Sequence, residues 1–212
     1  MRRKIIGQSK GALTITLPIK WARNNNLNSG DEVEMLEEDN TLILESVKQE
    51  KPKKFVQIKL EKGQYNEYRS IMGALYRSGY NEIKIIYDDR SVIPLLQEAI
   101  TFLHGYEIFD VTTNSCIIKC LYNEDSENIE AHIRKMLHII NTMESIILED
   151  IKLKKFESHK QIVQFRKIAV KHRDIVARII IQNNLFTNKS FPYYNLAFNL
   201  WRIVRNSEQI YI

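Results

Sequence analysis

Six cationic side chains carry the most definite chemistry in this 212-residue chain: Arg2, Arg3, Lys4, Lys10, Lys20 and Arg23. They fall within the first 23 residues, which hold no acid. The stretch from Asn24 to Ser46 reverses the sign, with Asp31, Glu32, Glu34, Glu37, Glu38, Asp39 and Glu45 and no base. A segment this short keeps its charges apart only if the fold puts one sign on one side. A compact face of lysine and arginine neutralises phosphates, and an arginine within it can reach a base edge. Double-stranded DNA is therefore the expected partner, with these six residues as the contacts.

Other chemistries find less support. Gly7 and Gly11 invite comparison with a phosphate-cradling loop, but such a loop needs Lys-Ser/Thr after its last glycine at the start of a helix. Here Ala12-Leu13 follows and a strand begins, so the glycines belong to a hairpin turn. Cys116 and Cys120 lie four apart in an expected strand, about 13 Å at roughly 3.3 Å per residue, too far for one zinc ion or a disulfide. His132 and His138 do not share a helix face, and His172 falls on an apolar stripe as a packing histidine. Glu144, Glu149 and Asp150 have neither a nucleophile nor a tuned base beside them. The expectation is a protein without catalytic residues, metal or cofactor, and so not an enzyme.

The elements that must position the cations are short. Residues 3–6 and Leu13–Leu17 read as strands around a turn at 7–11, and Pro18 sits where a helix running to Asn26 begins. Asn28-Ser-Gly-Asp31 is a turn, followed by strands at 32–36 and 41–44. Residues 1–46 cannot enclose a core alone, which makes interleaving with a second copy the economical solution. Residues 47–54, lysine-rich with Pro52, read as a linker.

Residues 55–122 alternate between periods of two and 3.6 and predict strand, helix, strand, helix, strand, strand, an α/β lobe of order βαβαββ. The second helix of the chain ends at Gly79, and a hairpin turns near Thr113-Asn114. From 123 to 212 three apolar stripes predict long antiparallel helices. The first runs Ile129, Ile133, Met136, Leu137, Ile140, Met143, Ile147 and Ile151. The others centre on residues 162–180 and 197–211 and need one another, or a partner chain, for burial. The fold class is α+β.

The N-terminal marks, Lys10-Gly11, Thr14-Ile-Thr-Leu-Pro18, Leu27 and Ser29-Gly-Asp-Glu-Val33, resemble the swapped-hairpin DNA-binding domain of the AbrB/MazE/SpoVT family. That resemblance implies two chains with interleaved hairpins whose paired basic halves face DNA. It also leaves open a module used mainly for dimerisation, as in antitoxins whose chief partner is a protein. The order of the remaining elements, with Tyr76–Ile83 and Leu103–Ile108 as local matches, resembles archaeal PhoU-type phosphate uptake regulators. One three-helix repeat fits against two in a full PhoU protein, so self-association is expected to supply the rest.

PhoU helices commonly hold metal through acids one turn apart. Here Trp201-Arg-Ile-Val-Arg-Asn206 and the Asp174/Ala177 pair replace those acids, which argues against a metal.

These resemblances imply a dimeric or higher-order transcriptional regulator, with phosphate uptake as the regulated process. The alternative is a PhoU-like adaptor that binds a transporter or signalling protein. The formal net charge is +5. No apolar run approaches the roughly 20 residues of a membrane span, and no secretory leader is evident. Together with two cysteines, this gives an expected cytoplasmic location without membrane insertion.

Overall fold

The computed structural model describes residues 2–8, 11–38, 40–46, 53–61, 65–122, 129–182 and 190–211. Its contacts divide the chain into two compact units, Met1–Pro52 and Lys53–Ile212. The architecture is mixed α+β, with small strands at the N-terminus and long helices at the C-terminus.

The first unit holds β1 (Ile6–Gly7), β2 (Leu13–Thr14), α1 (Ile19–Asn24), β3 (Val33–Glu38) and β4 (Thr41–Ser46). β1 pairs antiparallel with β2, and β3 with β4, as two separate two-stranded ribbons. β1 and β2 are shorter than the sequence suggests, and α1 ends at Asn24 rather than Asn26. An isolated ribbon of this length has little to hold it. Pro18 sits at the N-cap with extended geometry, φ −62° and ψ 121°, and hands the chain into α1.

The second unit begins with β5 (Lys54–Leu60), α2 (Tyr65–Arg77), β6 (Tyr80–Tyr87), α3 (Val92–Ile100), β7 (Tyr106–Val111) and β8 (Ser115–Cys120). Lys54, expected in the linker, is the first residue of β5; residues 47–52 of that expected linker lie outside the described residues. The sheet order is β5-β6-β8-β7, with β5 parallel to β6 and the other pairs antiparallel. In β6, Ile83, Ile85 and Tyr87 are buried while Glu82, Lys84 and Ile86 are not, the alternation of a sheet packed on one face. α2 ends at Arg77, and the turn that follows passes through Gly79, whose φ of +81° a side chain rarely adopts. A Cβ there would stand 2.6 Å from Gln182 Cγ, so glycine also permits the close approach of a later helix.

Three long helices complete the unit: α4 (Ile129–Leu153), α5 (His159–Gln182) and α6 (Ser190–Tyr211). Each packs against the other two, and α5 also packs on α2. The α/β layer and the helices, expected as separate regions on either side of residue 122, share one continuous apolar core. α4 buries Ile129, Ile133, Met136, Ile139, Ile140, Met143 and Ile147. Leu137 and Ile151, expected on that stripe, are 44% and 50% exposed. Leu137 follows Met136 around the helix onto the outer face, Ile151 lies in the last turn, and Ile139 takes a place in the stripe instead.

Candidate nucleic-acid interface

Arg2, Arg3 and Lys4 run directly into β1 and are exposed. Ile6 pairs with Thr14, and the chain continues from β2 through Ile15–Pro18 into α1, which carries Lys20 and Arg23. These two are three residues apart, share a face of α1, and are both exposed. Lys10 lies outside the described residues; Gly11 beside it has φ +81°, as the hairpin turn requires. Topology thus gathers two clusters, Arg2–Lys4 and Lys20/Arg23, on the first half of this unit.

The second half holds the acids. Asp31 closes the turn into β3 by accepting the backbone N–H of Asn28 at 2.7 Å, while its own N–H donates to the Asn28 carbonyl at 3.1 Å. Glu32, Glu34 and Glu37 are exposed. Positions 34 and 45, both glutamate, stand directly opposite each other across the β3–β4 pair.

Apolar exposure is the other property of this unit. Among its residues whose side chains the structure describes, none is buried, and Ile5, Leu13 and Met35 are 65%, 72% and 62% exposed. Met35 and Leu44 are cross-strand partners, and Val33 and Leu42 fall on the same face of the ribbon. An apolar sheet face left open in this way is an association surface.

Among the described residues there is no group of three or more His, Cys, Asp or Glu side chains that could hold a metal ion. Cys116 is buried and Cys120 half-buried, both as free thiols; burial pushes the Cys116 pKa up to about 11. Asp174 gives its carboxylate to arginines, as Arg173 donates to Oδ1 from Nε at 2.9 Å and from Nη2 at 2.7 Å. Arg77 Nη1 reaches the same oxygen at 3.2 Å. His172, expected as a packing residue, pairs with His132 across α4 and α5, with their Nδ1 atoms 2.8 Å apart. Sequence spacing along one helix could not show this pair, since its members lie forty positions apart.

The unit is thus two short hairpins around a brief helix, with its charges segregated along the sequence and apolar side chains exposed on the β3–β4 ribbon. Residues 9–52 match the family described as "Antidote-toxin recognition MazE, bacterial antitoxin". The match covers about a fifth of the chain and stops where the second unit begins. No curated protein and no solved structure matches the chain. Among the described residues no helix is long and apolar enough to cross a membrane.

Proposed function

We propose that this protein is a DNA-binding regulator whose N-terminal unit works as an interleaved homodimer. It binds rather than catalyses. Charge segregation within the N-terminal unit carries the reading: Arg2, Arg3, Lys4, Lys10, Lys20 and Arg23 precede every acid of that unit, and the five described among them are exposed. The exposed apolar residues of the β3–β4 ribbon face support dimerisation, because pairing two copies would cover them. In the dimer the cations of both chains lie along duplex phosphates, with Arg23 the residue of α1 suited to a base edge.

A second reading follows from the matched family itself, which is described by the recognition of a toxin by its antidote. In that reading the N-terminal unit serves dimerisation, and the protein's chief partner is another protein. The phosphate-uptake role and the transporter partner rest on the resemblance of the helical region alone and add nothing to either reading.

Retention of duplex genomic fragments by the intact protein, measured across a salt series, separates the two. A DNA-binding regulator retains duplex with steep salt dependence, whereas a dimerisation module retains none above the level of an unrelated protein of similar charge.

A further inference from the structure

A cavity of about 420 Å³ opens in the second unit between α2, α5, α6 and the turn after α3. Four of its lining residues are arginines: Arg69 and Arg77 from α2, Arg166 and Arg173 from α5. Their spacing is helical. Arg69, Gly73 and Arg77 fall at successive turns of α2, and Arg166 and Arg173 stand two turns apart on α5. Gly73 opens the floor between its two arginines, since a Cβ there would come within 3.2 Å of Arg77 Nη1.

The protein answers only part of this charge. Asp174 serves Arg77 and Arg173 through one oxygen. Glu208 stands 2.6 Å from Arg166 Nε, a charge contact rather than an aligned hydrogen bond. Among the described residues, four guanidinium groups thus face two carboxylates, which leaves two positive charges unanswered there. Arg173 is buried, and desolvation draws its pKa below the ordinary value; Asp174 opposes that shift, while Arg77 and Arg69 reinforce it. The indole N–H of Trp201, on the wall of the same cavity, is buried and has no hydrogen-bond partner among the described residues. Trp201 also lies under the Arg173 guanidinium, 4.4 Å from its ring centroid, and holds that fork in place.

We infer that this cavity is a binding site for a small dianionic phosphate, free or as the head of a phosphomonoester. A dianion cancels the residual charge. Its clustered oxygens suit converging guanidinium forks and leave one acceptor for the indole N–H. A dicarboxylate separates its charges by several bonds and matches this focus less well. The cavity exceeds the size of a bare ion, and Phe102 and Leu103 add apolar lining for the body of an ester.

The test uses the full-length Trp21→Phe protein, in which Trp201 is the sole remaining indole, titrated at constant ionic strength and followed by tryptophan fluorescence. Inorganic phosphate, ribose 5-phosphate, succinate and ribose are the probes, with calorimetry on the unsubstituted protein in parallel. Saturable binding of either phosphate compound, with none of ribose, is the expected result. Tighter binding of ribose 5-phosphate assigns an esterified ligand, and equal or tighter binding of inorganic phosphate assigns the free ion. Arg69→Ala, at a half-exposed position outside the Asp174 pair, weakens binding roughly tenfold or more. Gly73→Leu fills the floor and abolishes it. Both variants retain the parent far-UV circular dichroism. No saturable response to either phosphate compound, a preference for succinate, or unchanged affinity in both variants overturns the inference.

Discussion

Arg178 Nη1 donates to the Tyr76 carbonyl at 2.8 Å and also to the Tyr80 carbonyl at 2.9 Å. The guanidinium rests over the Tyr76 ring, 4.8 Å from its centroid, and is almost wholly buried. One side chain of α5 thereby closes the turn between α2 and β6, where Tyr80 O also accepts the Tyr106 hydroxyl at 2.7 Å. The three-helix layer and the sheet layer are fastened to each other at this point.

Arg178→Met removes both bonds and leaves two inward carbonyls without that donor. The expected loss is about 2–4 kcal/mol of unfolding free energy, the range for stranding buried polar groups around a charged donor. Urea unfolding with matched m-values measures it. Arg178→Lys recovers only part of it, because a shorter, more strongly hydrated ammonium loses the planar guanidinium's contact with the Tyr76 and Tyr106 rings even where it reaches a carbonyl. A loss under about 0.5 kcal/mol, the size of an ordinary surface substitution, contradicts the fastening role.

The His132–His172 pair gives the helical layer a pH dependence. With their Nδ1 atoms in contact, one ring donates and the other accepts, so the accepting ring must be neutral and the pair cannot become doubly charged without losing the bond. Burial, then the neighbouring His132, lowers the His172 pKa to about 4. In the unfolded chain a histidine takes up its proton near pH 6.5. Between those values the unfolded state binds more protons, so stability is full above about pH 6.5 and declines as pH falls toward 4. Discounted for the partial exposure of the ring, the loss is on the order of 1–2 kcal/mol. Urea midpoints at pH 7.5 and 5.0 should differ in that direction, and His172→Gln should reduce the difference. A pH-independent midpoint contradicts the assignment.

What was legible in the sequence follows from the range of each interaction. The βαβαββ order and the three helices come from local periodicity, which shows in windows shorter than the elements themselves. Gly79 in the turn after α2 was readable for the same reason. The strand order β5-β6-β8-β7 was not, because it depends on which edges meet rather than on any one strand's pattern. Arg178 with Tyr76 and Asp174 with Arg77 join positions about a hundred residues apart, and in the sequence these arginines look like ordinary polar-face residues. The Arg69-x-x-x-Gly73-x-x-x-Arg77 spacing was a usable local signal, since a glycine between two arginines on one helix face marks an opening rather than a packed surface. The six N-terminal cations stood out because charge segregation is visible without any fold.

Salt dependence measures how many of those cations meet phosphates. A dimer offers two sets of six, and if about half engage, log K falls with log salt at a slope near −5. Lys10→Ala with Arg23→Ala removes up to four contacts per dimer and should flatten the slope to about −2 to −3. Filter binding on a duplex fragment from 50 to 200 mM salt reads it. An unchanged slope and affinity excludes these two residues from the interface.

The proposed dimerisation rests on the apolar face of the β3–β4 ribbon, and it can be tested apart from DNA. Met35 and Leu42 are 62% and 56% exposed on one face of the β3–β4 ribbon, so a charge at either position costs the monomer little. At an interleaved interface the same charge is buried without a partner and costs several kcal/mol per copy. Met35→Glu with Leu42→Glu is therefore expected to convert a dimer or larger assembly to monomer in sedimentation velocity. The second unit, whose core lies wholly within Lys53–Ile212, should retain its unfolding transition. DNA affinity should fall in the same variant although no cation has been touched, because each chain then presents half of the phosphate contacts. A variant that sediments as the parent does, or a parent that is already monomeric at micromolar concentration, removes the basis for an interleaved N-terminal domain.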